Sequence, residues 1–260
     1  MRDTSAVRGE AAGVPFVALP PDGGRDNGST VIVWHMHDPP RSETAMAATL
    51  PLRGLDAWRV YLGLPLSGSR LPDGSLDAFF ALAELRSEHG LPGGPIAVVG
   101  ASIGALVALS VVATQDLPVS AVALVSPALR LRGVVGANER RFGVTYPWSD
   151  DARAVATELD FVARAPELAR RSGPTLLVVG AEDDTEGIAR PAEELATALV
   201  NESLEATLVR VPGMAHALAD EPGLEPAPQT AIAAAVDNVV ASWLKERLSK
   251  GGRELAAGGD

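Results

Sequence analysis

Residues Pro95–Leu109 constrain the fold more than any other stretch of the chain. An apolar, β-branched run (Ile96–Val99) leads into Gly100-Ala101-Ser102-Ile103-Gly104, and a run of small and apolar residues with helical character follows. A serine on a sharp strand-to-helix turn holds its hydroxyl above the edge of the sheet, and glycines two residues to either side relieve the crowding there. The helix that follows aims its N-terminal N–H groups at the same point, where negative charge is favoured. The plainer reading of this stretch is an ordinary tight turn with a capping serine.

The rest of the chain repeats the strand–helix alternation. Val14–Leu19, Val31–His35, Trp58–Pro65, Ala121–Ser126, Thr175–Gly180 and Ala206–Pro212 are short runs of the kind buried in parallel sheets. Between them, Thr44–Leu55, Ser75–Glu88, the stretch after Ser102 to about Thr114, Pro191–Asn201 and Thr230–Leu248 are helix-compatible. The expected fold class is α/β: a mostly parallel, doubly wound sheet with helices on both faces. The chain reads as one domain over residues 1–260, with a core at about 13–248 and loose tails at 1–12 and 251–260. Residues 127–173 exceed what a crossover helix needs. Their first half looks irregular and their second half helical, which suggests a short helical lid insert.

Composition removes several classes of function. A formal charge of −11 argues against a nucleic-acid or anionic-membrane partner. The absence of cysteine excludes disulfides, thiolate catalysis and zinc–thiolate sites. The start lacks the apolar core of a signal peptide, and no apolar run approaches the ~18 residues of a membrane span. A cytoplasmic protein is the expectation, and its oligomeric state is left open.

Functional groups in open α/β sheets gather at the carboxyl ends of the strands. Four polar clusters occupy such ends: His35–Asp38, Ser102, Asp183/Asp184 and His216. A serine hydroxyl becomes nucleophilic when a neighbouring base takes its proton, and histidine is matched to that task at neutral pH. A carboxylate behind the histidine fixes its tautomer.

Over about residues 13–248 the chain resembles the α/β-hydrolase superfamily, and within it the compact esterase, acyl-peptidase and dienelactone-hydrolase-like members. The resemblance is carried by Gly100-Ala101-Ser102-Ile103-Gly104, by Gly180-Ala181-Glu182-Asp183 after a strand, by Pro212-Gly213-Met214-Ala215-His216, and by the loop Pro65-Leu66-Ser67-Gly68-Ser69-Arg70. It implies Ser102 as nucleophile, His216 as general base and acid, and Asp183 as the orienting carboxylate, with Asp184 as the alternative acid. It further implies an oxyanion hole from the backbone N–H of Ile103 and a second donor in the loop after Val31–Trp34. Members of the superfamily often carry His-Gly there; this chain has His35-Met36-His37, so His37 is the expected donor and Met36 the next, with the Met36 side chain narrowing the acyl entrance.

Trp34, Phe142, Tyr146 and Trp148 are the candidates to line a substrate pocket under the lid, and Arg130, Arg132, Arg140 and Arg141 either greet an acidic substrate or form a solvated surface. His35, His37 and Asp38 offer a rival reading as a metal site, but zinc wants three or four ligands in a defined geometry, no further histidine continues the pattern, and two prolines follow at once. No metal or organic cofactor is expected. The substrate is expected to be a small molecule with an ester, thioester or related acyl bond. Acyl transfer, cyclisation and hydrolysis of short peptides use the same three residues. A binding protein that kept the fold without the chemistry is the alternative of another class.

Overall fold

The structure is a computed structural model that describes residues 6–36, 41–64, 74–114, 117, 119–219 and 226–257. Among the described residues eight strands form one sheet in the order β1-β2-β4-β3-β5-β6-β7-β8. They span β1 Val7–Ala11, β2 Val14–Leu19, β3 Thr30–Trp34, β4 Trp58–Leu62, β5 Ile96–Ala101, β6 Val119–Val125, β7 Thr175–Gly180 and β8 Ala206–Val211. From β4 through β8 every pairing is parallel, while β2 runs antiparallel to both β1 and β4. The expected mostly parallel α/β sheet is thus observed.

The period-two alternation of strand side chains divides the core between two faces. Ile32, Trp34, Val98, Val122, Leu124, Leu177 and Val179 point to one face. There they meet α2 (Gly74–His89), α3 (Gly104–Thr114), α6 (Ala165–Arg171) and α7 (Arg190–Asn201). Val31, Val33, Ala97, Val99, Val125, Leu176 and Val178 point to the other, against α1 (Glu43–Thr49) and α8 (Ala231–Ala257). Both faces are covered, which explains why these strands read as continuous apolar runs and not as alternating ones. Helix α3 sits at the sheet centre and is buried from Gly104 through Ala113. Among the described residues no helix is long and apolar enough to cross a membrane.

Three parts of the chain differ from the sequence-based expectation. Residues 7–11, within the stretch expected to be loose, form β1 and pair with β2 from Val7↔Ala18 to Ala11↔Val14. Residues 131–142, expected to be irregular, form helix α4 (Leu131–Phe142). The continuous helix expected after it is two, α5 (Asp150–Glu158) and α6. At the other end α8 continues to Ala257, past the point where a frayed tail was expected.

Candidate active site

The register brings the carboxyl ends of the central strands level: Trp34 lies beside Gly100, Ala101 beside Val125, and Gly180 beside Val211. Ser102 follows β5, Asp183 lies three residues after β7, and His216 lies five residues after β8. Residues remote in sequence therefore converge on one edge.

Each of the motif glycines has a steric reason. A Cβ on Gly100 would stand 2.6 Å from the Cα of Ala105, and one on Gly104 would stand 2.7 Å from the carbonyl oxygen of Trp34 and 2.6 Å from that of His35. These are the closest approaches of the strand-to-helix turn, first to its own helix and then to β3. Gly180 does the same for the histidine loop, since a Cβ there would lie 2.1 Å from the Met214 carbonyl oxygen. The loop crosses directly over the end of β7, and the Glu182 N–H donates to the Met214 carbonyl at 3.0 Å to hold it there. Because the contacts around Gly104 are backbone atoms at the sheet centre, Gly104→Ala is expected to cost about 1–3 kcal/mol. Urea unfolding checks this as a lowered midpoint with an unchanged slope.

Ser102 itself has φ of +49°, a left-handed conformation that costs a non-glycine residue energy. Three backbone hydrogen bonds hold it there. Its N–H donates to the Val125 carbonyl at 2.9 Å, and its carbonyl accepts from Ala105 at 3.0 Å and Ala128 at 2.9 Å. Ser102 Oγ lies 2.7 Å from His216 Nε2, and His216 Nδ1 lies 3.1 and 3.3 Å from the two carboxylate oxygens of Asp183. The Asp183 side chain is 1% exposed and that of His216 is 28% exposed, so the imidazole spans from a buried carboxylate to the solvent side. A carboxylate only accepts, so Nδ1 carries the proton, Nε2 is left with its lone pair, and the Ser102 hydroxyl donates to it.

Of the two neighbouring carboxylates, Asp183 meets the histidine and Asp184 does not. Asp184 accepts the Gly187 N–H, capping the π-helical turn Thr185–Ala189. Its N–H in turn donates to Asp183 Oδ1 at 2.8 Å. Turns of this kind are often found at functional sites.

The Ile103 N–H, next to the serine, donates to no acceptor among the described residues. His37, the other expected donor, lies outside the described residues, as do Asp38 and the loop 65–70. Met36 is fully buried in the core face that includes Val33 and Met46, so its side chain packs into the protein and does not narrow an entrance. His35 is buried: its Nδ1 donates to the Met36 carbonyl at 2.7 Å and its Nε2 accepts the Leu64 N–H at 3.3 Å. That pattern requires the neutral ring and ties the end of β3 to the end of β4. Among the described residues no group of three or more His, Asp or Glu side chains is placed to hold a metal ion.

The four candidate substrate residues lie elsewhere. Trp34 is 1% exposed and belongs to the core. Phe142 and Tyr146 are exposed. Trp148 makes an edge-on pair with Tyr146, the ring centres 5.2 Å apart, and carries the Arg132 guanidinium over its face. A cleft of about 610 Å³ does adjoin His216 and Asp183, with different walls. One wall is α4, through Val134, Ala137, Asn138, Arg140 and Arg141, and the other is Glu182–Asp184, Gly187, Ile188 and Ala215–Ala217. The spacing 134, 137, 138 and 141 is one face of a helix, the signal by which these positions can be found once 131–142 is recognised as helical. Phe142, Tyr146 and Trp148 are not among the lining residues.

No residue of α4 is buried. The helix is held at its start, where Arg130 pairs with Glu194 at 2.6 Å and with Asp160 at 3.2 Å. Burial alone disfavours the Arg130 charge, but these two carboxylates outweigh it and raise the guanidinium pKa. At its middle the contact is close. A Cβ on Gly187 would come within 3.0 Å of the Ala137 Cβ, so only glycine lets the π-helical turn approach α4 this closely.

A family model for the alpha/beta hydrolase fold matches residues 68–220, more than half of the chain. No curated protein matches the sequence. Among solved structures, carboxyl esterase 2 from the fungus Tuber melanosporum superposes with a TM-score of 0.66 at 18% identity, over 95% of this chain and 87% of that one. A thermostable carboxyl esterase from Bacillus coagulans gives 0.63 at 12% identity, over 94% and 98%. A puromycin-hydrolyzing peptidase from Mycobacterium tuberculosis gives 0.67 at 16% identity, over 94% of this chain and 40% of that one. These likenesses concern the fold. Together with the family match, they establish that this chain belongs to the alpha/beta hydrolase fold family.

Proposed function

We propose that the protein is a serine hydrolase that cleaves a carboxylic ester, thioester or related acyl bond through an acyl-enzyme on Ser102. The observation that carries this reading is the unbroken hydrogen-bonded series from Ser102 Oγ through His216 to Asp183. In the first step Oγ attacks the carbonyl carbon as its proton passes to His216 Nε2, and Asp183 stabilises the resulting imidazolium. The negative charge on the tetrahedral oxygen is met by the Ile103 N–H at the start of α3, where the helix dipole favours it. His216 then gives its proton to the departing oxygen or sulfur, leaving the acyl group on Oγ. Water enters, loses a proton to Nε2, attacks the same carbon, and the acid leaves as Oγ is reprotonated. Every proton is carried by His216 and none is left over.

Carboxyl esterases and a peptidase share this fold, so the choice of ester over peptide rests on the strength of the amide bond that a peptidase must activate. An alkyl fluorophosphonate tests the nucleophile directly, because it requires an activated serine and no substrate fit beyond the first contact. The expected result is stoichiometric labelling of the native protein, with the adduct mapped by peptide mass spectrometry to Ser102. An unlabelled native protein, or an adduct at another serine, sinks the proposal.

A further inference from the structure

We infer that a one-residue bulge at Ser126–Pro127, where β6 leaves the sheet, positions the nucleophile, so that Ser126 and Pro127 set the rate of attack by Ser102 through the backbone. The inference rests on the serine-hydrolase reading and adds two positioning residues to it. Strands β5 and β6 keep a regular parallel ladder as far as Ala101↔Val125, and the Ser102 N–H continues it by donating to the Val125 carbonyl at 2.9 Å. The next bond of a regular ladder would run from the N–H of residue 127 to the Ser102 carbonyl. Residue 127 is proline and has no N–H to give. The chain instead carries one extra residue, and the Ala128 N–H reaches the Ser102 carbonyl at 2.9 Å. Bulges of this kind bend a strand, and they recur beside active sites, where they re-aim a side chain.

Ser126 makes the bulge possible. Its φ of +41° is left-handed, which is costly for a non-glycine residue and more so before a proline, where extended backbone is favoured. The residue is fully buried, and its N–H donates to the Val178 carbonyl of β7 at 2.8 Å. The turn is thereby fixed to the strand that leads to Asp183. The Ser126 hydroxyl is buried and makes no hydrogen bond among the described residues, so what the residue contributes runs through its backbone. Strained backbone persists only where its surroundings over-determine it, and the left-handed turn at 126 is what supplies the second anchor for the one at 102. Without the Ala128 bond, the Ser102 carbonyl would keep only the Ala105 N–H of its own helix. Its Oγ could then drift from the 2.7 Å contact with His216 Nε2, and a displacement of about 1 Å can cost on the order of 100-fold in rate.

The test compares three variants with the native protein. Ser126→Val places a branched side chain where the backbone is left-handed, and Pro127→Ala restores an N–H able to form the regular ladder. Ser126→Gly is the conservative variant, because glycine adopts a positive φ freely. Each is reacted with an alkyl fluorophosphonate and assayed on p-nitrophenyl acetate. Ser126→Val is expected to lower both the labelling rate and kcat at least tenfold, and Pro127→Ala at least threefold, with KM within threefold of native. Both should still take up one equivalent of label per chain and keep the native circular dichroism, whereas Ser126→Gly should stay within threefold of the native rates. Pro127→Ala removes atoms and adds none, so it carries the test should Ser126→Val fail to fold. A folded Pro127→Ala that reacts at the native rate, a Ser126→Gly as slow as Ser126→Val, or losses of rate matched by losses of circular dichroism overturn the inference and leave the hydrolase reading standing. A native protein that takes up no label overturns both.

Discussion

Ser102→Ala is expected to lower kcat on a short p-nitrophenyl ester by about 10⁴–10⁶ while leaving the fold intact. The residual rate would come from water attacking a carbonyl still polarised by the Ile103 N–H, which is why the loss stops short of complete. Alanine keeps a Cβ, so the left-handed backbone at position 102 and its three hydrogen bonds persist as they are. The hydroxyl is removed from a site where its partner is a half-exposed imidazole that water can reach, so little stability should be lost. Thermal unfolding followed by circular dichroism should agree with the native protein to within a few degrees. A reduction of less than tenfold would mean that the hydrolysis measured does not pass through this hydroxyl.

Asp183→Asn is expected to lower kcat by about 10⁴, the size of effect that follows when a catalytic histidine is locked in the wrong tautomer. The Asp184 N–H already donates to Asp183 Oδ1, so an asparagine would keep its carbonyl oxygen there. Its amide nitrogen would then take the place of Oδ2, 3.3 Å from His216 Nδ1, where its donation favours the tautomer with the proton on Nε2. That donation acts against the neutral acceptor left at Oδ1, 3.1 Å away, and the charge that stabilises the imidazolium is lost. A protonated Nε2 cannot accept from Ser102. Asp184→Asn is the internal control. Asparagine caps a helical turn as well as aspartate does, so the Gly187 N–H stays satisfied and kcat should change by less than about threefold. Equal losses from the two substitutions would show that the carboxylates act together and not in the separate roles their contacts give them.

How legible the protein was in its sequence depended on burial. Strands β2 to β7 are enclosed by other strands or by helices, so their side chains are mostly apolar and announce themselves as runs. Strand β1 has a partner on one side only, and Arg8, Gly9 and Glu10 are all exposed, leaving no pattern from which pairing could be inferred. Helix α4 was missed for a related reason. With no residue of it buried, nothing in 131–142 selects for an apolar stripe, and Gly133 and Gly136 count against a helix on propensity alone.

The same logic applies within the site. Ser102, Asp183 and His216 are each fixed to a strand end, so the topology alone brings them together. The cleft wall is not fixed in that way. Aromatic residues draw attention to 142, 146 and 148, yet none of the three lines the cleft; α4 ends at Phe142, and Gly143, with φ of +64°, separates it from 146 and 148. Met36 shows the limit of reading by resemblance. A methionine where a glycine is usual suggests an obstruction, whereas the side chain is fully buried in the same core face as Met46.

Helix α4 leans on the core through Leu131 and Val134 without burying any residue, yet it forms one wall of the space beside His216. Substitutions at its exposed positions on that wall, Asn138, Arg140 and Arg141, typically change stability by no more than about 0.5 kcal/mol. Those positions can therefore be changed with little risk to the fold. The sheet holds Ser102, Asp183 and His216 in place, while this wall of the cleft can be altered one residue at a time.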